Sequence, residues 1–192
     1  MAEVLEIRWH ARAGQGAVTA AKSLAETALE EGKYVQAAPE YGPERAGAPL
    51  RAFNRISDRP IRIHSPVVSP QVVVVLDPTL IGIVDVAEGT PEDATIVINS
   101  PQDPAQVRQK MGLQGRKLYT VDATKIALDT LGRPIPNTPM VAALVRVTGL
   151  LRLENLLHQI QKTLGKKFVS KVVEGNLEAV RRAYQEVKGE GE

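Results

Sequence analysis

Short apolar runs of strand length alternate with amphipathic stretches through the first two-thirds of the chain. Residues 4–9, opening on Val4-Leu5-Glu6-Ile7, predict a first strand apolar enough to lie inside a sheet. Ala17, Ala20, Ala21, Leu24, Ala25, Ala28 and Leu29 recur near helical spacing, so residues 15–32 predict a helix that stops at Gly32. Its inner face is mostly alanine, which lets a helix lie close to a sheet or to another subunit. Residues 34–38 predict a second strand, and the economical arrangement of the three is a right-handed βαβ unit.

Residues 50–56 and 60–64 predict a hairpin turning at Ser57-Asp58-Arg59. The unbroken β-branched run at 72–76 predicts a strand buried on both faces, ended by Asp77-Pro78. Residues 79–88 predict a short helix or turn. Strands follow at 95–99 and 117–121, with a brief helix over 104–111 between them. Asp122 or Thr124 is placed to cap a helix over 124–131. From Pro139 the period becomes helical, over 139–151, 153–164 and 173–188, with Thr138 as cap and Pro139 as first residue. Residues 189–192 are expected to fray. The fold class is α/β: a Rossmann-like, mixed but mostly parallel sheet flanked by helices, with a helical C-terminal segment. A chain of 192 residues predicts a single domain, with the α/β core over about 1–135 and the helical part over about 138–189.

Composition narrows the chemistry. The chain has no cysteine, which excludes disulfides, thiol nucleophiles and cysteine-ligated clusters or zinc sites of its own. His10, His64 and His158 stand far apart, without metal-ligand spacing. A net charge of +2 gives no reason to expect nucleic acid as a partner. The longest apolar run is far too short for a membrane span, and the opening MAEVLEIRWH reads as strand rather than leader, so a cytoplasmic protein is expected.

Three features could carry function. Gly14-Gln15-Gly16 lies between strand and helix, where free N–H groups and the helix dipole favour an anion. It is not a dinucleotide fingerprint, because Thr19 stands where the third glycine belongs and no acidic residue ends the second strand. No lysine follows in P-loop spacing. A tight turn that merely packs helix on sheet remains the alternative. The segment from Pro39 to Pro49 is rich in proline and glycine, yet carries Tyr41 and Arg45, which suits either a recognition loop or a plain surface loop. Asp77, Asn99 and Asp122 follow apolar strands, where they either face a ligand crevice or cap the next turn. His10 shares that edge, with no nucleophile or carboxylate near it in sequence, so no catalytic pair can be assembled. Lys162, Lys166, Lys167 and Lys171 read as a solvated face.

The segments RWHARAGQGAVTAAKSLAE, PEYGPERAGAP and RISDRPI, in this order, resemble the gamma subunits of the 2-oxoacid:ferredoxin oxidoreductases, nearest the pyruvate-oxidising branch (pyruvate synthase). One departure is that Ala11 and Ala13 stand where glycines are common in the family. The resemblance implies an accessory chain, without a complete active site, in an enzyme that converts pyruvate and coenzyme A to acetyl-CoA and CO2 while reducing ferredoxin. It implies alpha and beta subunits that bind thiamine diphosphate and magnesium, and a ferredoxin-like delta subunit with iron–sulfur clusters. The gamma chain is expected near the coenzyme A site, where Gly14, Gln15, Gly16, Tyr41 and Arg45 would contact either coenzyme A or a neighbouring subunit. A gamma chain for another 2-oxoacid (branched-chain or 2-oxoglutarate) and a free-standing nucleotide-binding domain are the alternatives.

Overall fold

The computed structural model describes residues 4–40 and 47–191. Among the described residues, seven strands form one sheet in the order β2-β3-β1-β4-β5-β6-β7. In chain order the strands are β1 (Leu5–Arg12), β2 (Tyr34–Glu40), β3 (Pro49–Ser57), β4 (Val72–Val75), β5 (Thr95–Asn99), β6 (Lys117–Val121) and β7 (Lys188–Gly189). The helices are α1 (Ala17–Glu30), α2 (Pro104–Met111), α3 (Ala123–Leu131), α4 (Asn137–Thr148), α5 (Leu153–Leu164) and α6 (Ser170–Glu186). The sheet is parallel across β1, β4, β5 and β6, and antiparallel at β2, β3 and β7.

Side-chain alternation sorts the core onto two faces. Ile7, Trp9 and Ala11 of β1, with Val72 and Val74 of β4, pack against α1 and α3 through α6. Val73, Val75, Ile96, Ile98 and Leu118 point the other way, toward Val107 of α2 and Val86. The valine run is thus buried on both faces, as its composition requires. The alanines of α1 sit against the sheet at nearly zero exposure, and a buried link fixes their depth. Trp9 Nε1–H donates to Asn54 Oδ1 (2.8 Å), and Asn54 Nδ2–H donates to the Ala21 carbonyl (2.8 Å).

Several expectations are corrected. β2 runs in the same direction as β1 but does not touch it, because β3 lies between them. The βαβ unit is therefore split by an inserted antiparallel strand. The hairpin predicted around 57–59 does not form. β3 pairs with β1 on one side and β2 on the other, so no edge is left for residues 60–64. That irregular stretch is held instead by Arg55, which donates to the Ser65 carbonyl (2.7 Å) and pairs with Glu6 (2.7 Å). Helix α4 begins at Asn137, not Pro139, and Thr138 does not cap it; the Asn137 side chain accepts from the Thr138 N–H (2.8 Å). The last helix starts earlier than its periodicity suggests, at Ser170. Residues 188 and 189 do not fray but add a strand to the edge of β6, and Glu190 forms a bidentate pair with Arg108, with Nη2 and Oε2 at 2.6 Å.

Candidate functional site

The carboxyl ends of the parallel strands lie along one edge of the sheet, and the glycine turn sits there between β1 and α1. Gly14 (φ +97°) and Gly16 (φ +84°) both occupy left-handed backbone, which explains glycine at each. Gly16 is also a close approach, since a Cβ there would lie 2.7 Å from Asn137 Nδ2 at the start of α4. The two helix N-termini therefore meet at the turn. Ala11 and Ala13 both keep negative φ, so the alanines that depart from the family pattern carry no backbone strain.

Gln15 does not point into open space. Its Oε1 accepts from the Arg12 N–H (2.7 Å), and its Nε2–H donates to Asp77 Oδ2 (2.7 Å), bridging the ends of β1 and β4. Asp77 also accepts from the Thr79 N–H (2.9 Å) and hydroxyl (2.7 Å), capping the 3-10 turn Pro78–Leu80. Arg12 stands 3.3 Å from the same carboxylate and donates to Thr79 Oγ1 (3.2 Å). Burial opposes ionisation of Asp77, but Thr79, Gln15 and Arg12 outweigh it and hold its carboxyl below the ordinary value. Arg12 also donates to the Gly47 carbonyl (3.0 Å), and the Ala13 N–H donates to the Ala48 carbonyl (3.2 Å). These bonds tie the glycine turn to the root of the proline-rich segment. Tyr41 and Arg45 lie outside the described residues.

The other strand-end residues act as structure. Asn99 donates to the Leu76 carbonyl and to Thr124 (both 2.8 Å) and accepts from the Thr124 N–H (3.1 Å). Asp122 caps α3 by accepting from the Lys125 N–H (3.0 Å). Lys162 is paired with Glu30 (2.6 Å), while Lys166, Lys167 and Lys171 are exposed.

Beside the first turn of α1 lies a groove of about 410 Å3, lined by Val18, Thr19, Lys22, Asn137, Thr138 and Phe168 among others. Sequence reasoning missed Arg12, Thr79 and Asn137, because the contacts that bring them together at the turn span 35 or more residues and no short pattern links them. Among the described residues, no cluster of three or more His, Asp or Glu could hold a metal ion. Nor is any helix there long and apolar enough to cross a membrane.

The family model for "Pyruvate ferredoxin/flavodoxin oxidoreductase" matches residues 6–186. The chain belongs to this family. Within the pyruvate ferredoxin/flavodoxin oxidoreductases, it is 56% identical over 183 residues to the "Pyruvate synthase subunit PorC" of Thermotoga maritima, covering 95% of this chain and 94% of the relative. It is 46% identical to the "Pyruvate/ketoisovalerate oxidoreductases common subunit gamma" of Pyrococcus abyssi, covering 96% and 98%. The crystal structure of the pyruvate oxidoreductase subunit PORC from Thermotoga maritima superposes with a TM-score of 0.86 at 49% identity, covering 98% of this chain and 99% of that one. A 2-oxoglutarate:ferredoxin oxidoreductase from Magnetococcus marinus, solved with coenzyme A bound, shares the fold at a TM-score of 0.75. At 17% identity the match spans 31% of that longer chain, so the likeness is one of fold alone.

Proposed function

We propose that this chain is the gamma subunit of a pyruvate:ferredoxin oxidoreductase, which oxidatively decarboxylates pyruvate, transfers the acetyl group to coenzyme A and passes the electrons to ferredoxin. The observation that carries this reading is the 56% identity to a pyruvate synthase subunit along nearly the whole length of both chains. In this reading alpha and beta subunits bind thiamine diphosphate and magnesium, and a ferredoxin-like delta subunit carries iron–sulfur clusters. A chain without cysteine suits that division of labour, because it cannot ligate such clusters through thiolates. The relative from Pyrococcus abyssi is named as common to pyruvate and ketoisovalerate enzymes, which fits a gamma chain that does not choose the 2-oxoacid.

Within the complex, the glycine turn would present the N-terminus of α1 to coenzyme A or to a neighbouring subunit. Gln15 would act as a brace from inside, because both ends of its amide are already bonded. Gly14 and Gly16 would set the path of the backbone, and Tyr41 and Arg45 would contribute contacts to the same ligand or subunit. The groove by Val18 and Lys22, mostly apolar but also lined by Lys22, Lys167 and Glu26, would suit a ligand that joins an apolar arm to phosphates.

Native purification from the source cell, with identification of co-purifying chains, tests the assignment. Thiamine-binding subunits and a cysteine-rich ferredoxin-like chain are expected; a chain that purifies alone and monodisperse refutes it. Arg45→Ala in the assembled complex is expected to raise the apparent KM for coenzyme A with little change in that for pyruvate. An unchanged KM for coenzyme A removes Arg45 from the site.

A further inference from the structure

The face of β1 and β3 turned away from α1 is unusually polar for a central strand and its neighbour. Arg8, His10 and Arg12 occupy alternate positions of β1, and Arg51 of β3 lies directly opposite His10 in the antiparallel register. Opposed positions of this kind bring side chains to adjacent sites on one face. Arg8 and His10 are each 3% exposed.

The guanidiniums of Arg8, Arg12 and Arg51 on this face have different commitments. Arg8 is spent inside the fold: its Nη2 donates to the carbonyls of Val86 (3.2 Å) and Glu88 (2.6 Å), and its Nε–H donates to His10 Nε2 (3.1 Å). Arg12 is taken up by Thr79, Asp77 and Gly47. Arg51 is only partly engaged. One of its nitrogens reaches Glu40 (2.8 Å), another approaches the well-exposed Glu88 carboxylate at 3.9 Å, and its side chain is 41% exposed. A guanidinium has five N–H donors, and among the described residues Arg51 engages only a minority of them.

The Arg8 bond determines the state of His10. Arginine has no acceptor, so His10 Nε2 must present its lone pair, and the neutral ring carries its proton on Nδ1. Burial, then Arg8 and Arg51, push the His10 pKa down to about 3, which keeps the ring in that state at neutral pH. No acceptor for Nδ1–H exists among the described residues. A buried imidazole is thus held in one tautomer, with no acceptor for its donor among the described residues and with Arg51 directly across the strand pair.

We propose that His10 Nδ1–H and the Arg51 guanidinium form a binding subsite for one oxyanion, a carboxylate or a phosphate group. Neutral donor and fixed cation match the two needs of such a ligand, a directed hydrogen bond and a charge. Arg8 is a positioning residue: it holds the His10 tautomer and adds positive potential without contacting the ligand. The glycine turn and the groove beside α1 are not involved, and the subsite stands whether or not the gamma-subunit reading does.

The test is 15N-resolved imidazole NMR on the full-length chain, titrated separately with sodium phosphate and sodium acetate at neutral pH, with sodium chloride at matched ionic strength. The expected result is a neutral Nδ1–H tautomer for His10 and a saturable shift of its Nδ1 signal. A shift with phosphate alone assigns a phosphate group, with acetate alone a carboxylate, and with both a general oxyanion site. Arg51→Gln is expected to weaken the binding about tenfold while the tautomer persists, and Arg51→Lys to weaken it less. No saturable shift with either anion overturns the proposal, as does an equal shift with chloride, or binding unchanged in Arg51→Gln.

Discussion

Gln15→Met removes the bridge between the ends of β1 and β4 while keeping the length of the side chain. Two hydrogen bonds are lost, one from the Arg12 N–H (2.7 Å) and one to the Asp77 carboxylate (2.7 Å). The first is a neutral bond worth about 0.5–1.5 kcal/mol and the second, to a charged group, about 1.5–3 kcal/mol. Gln15 is half-buried, so water can reach part of what is left unpaired. The expected net loss is therefore about 1.5–3 kcal/mol, below the sum of the two bonds. Urea unfolding at pH 7 measures it as a lower midpoint with an unchanged m-value.

The companion variant Gln15→Glu keeps an acceptor for the Arg12 N–H but sets a second carboxylate against Asp77. It is expected to be less stable than Gln15→Met at pH 7. The gap should narrow on acidification toward about pH 4, as the pair takes up a proton. The sign for Asp77 itself follows from its lowered folded pKa. Its contribution is present above the unfolded value of 3.8 and is lost as pH falls through the folded one. Gln15→Met relaxes that lowering, so its stability should fall less steeply in acid than that of the native chain. A loss below about 0.5 kcal/mol for Gln15→Met, the ordinary range for a surface change, would refute the brace.

His10 predicts a second pH dependence, of the kind expected for a histidine buried neutral. Its folded pKa of about 3 lies below the unfolded 6.5, so stability is intact above pH 6.5 and falls as pH drops from there toward about 3. Between pH 6.5 and 5 the expected loss is about 2 kcal/mol, and His10→Gln should flatten that slope in denaturant unfolding across the same range. Gly16→Ala should cost about 2 kcal/mol or more, combining positive φ with the Asn137 contact, whereas Gly14→Ala meets only the backbone term and should cost about 1 kcal/mol; thermal unfolding separates the two. Removal of residues 188–192 should expose the edge of β6 and speed amide exchange along Lys117–Val121, and unchanged exchange there would make β7 a passive addition.

Much of this protein is local and therefore legible in its residues. The valine run of β4, the TIVIN strand β5 and helix α2 follow from composition and period, because each depends on contacts within itself or on simple burial. The glycines of the turn likewise follow from backbone sterics, and their neighbourhood marks the family. Tertiary structure alone decided which strand pairs with which. β3 fits between β1 and β2 because hydrogen-bonding edges are filled by the best available partner, and no local signal ranks distant partners. The same holds for the tail, whose Lys188 and Gly189 become strand only because β6 offers an open edge. It holds for the candidate sites as well. Gln15 is in plain view in the glycine turn, but its role as a brace needs Asp77, and the donor on His10 needs both Arg8 and Arg51. A side chain's chemistry is read from its type, whereas its protonation and partners are set by whatever the fold brings within about 3 Å.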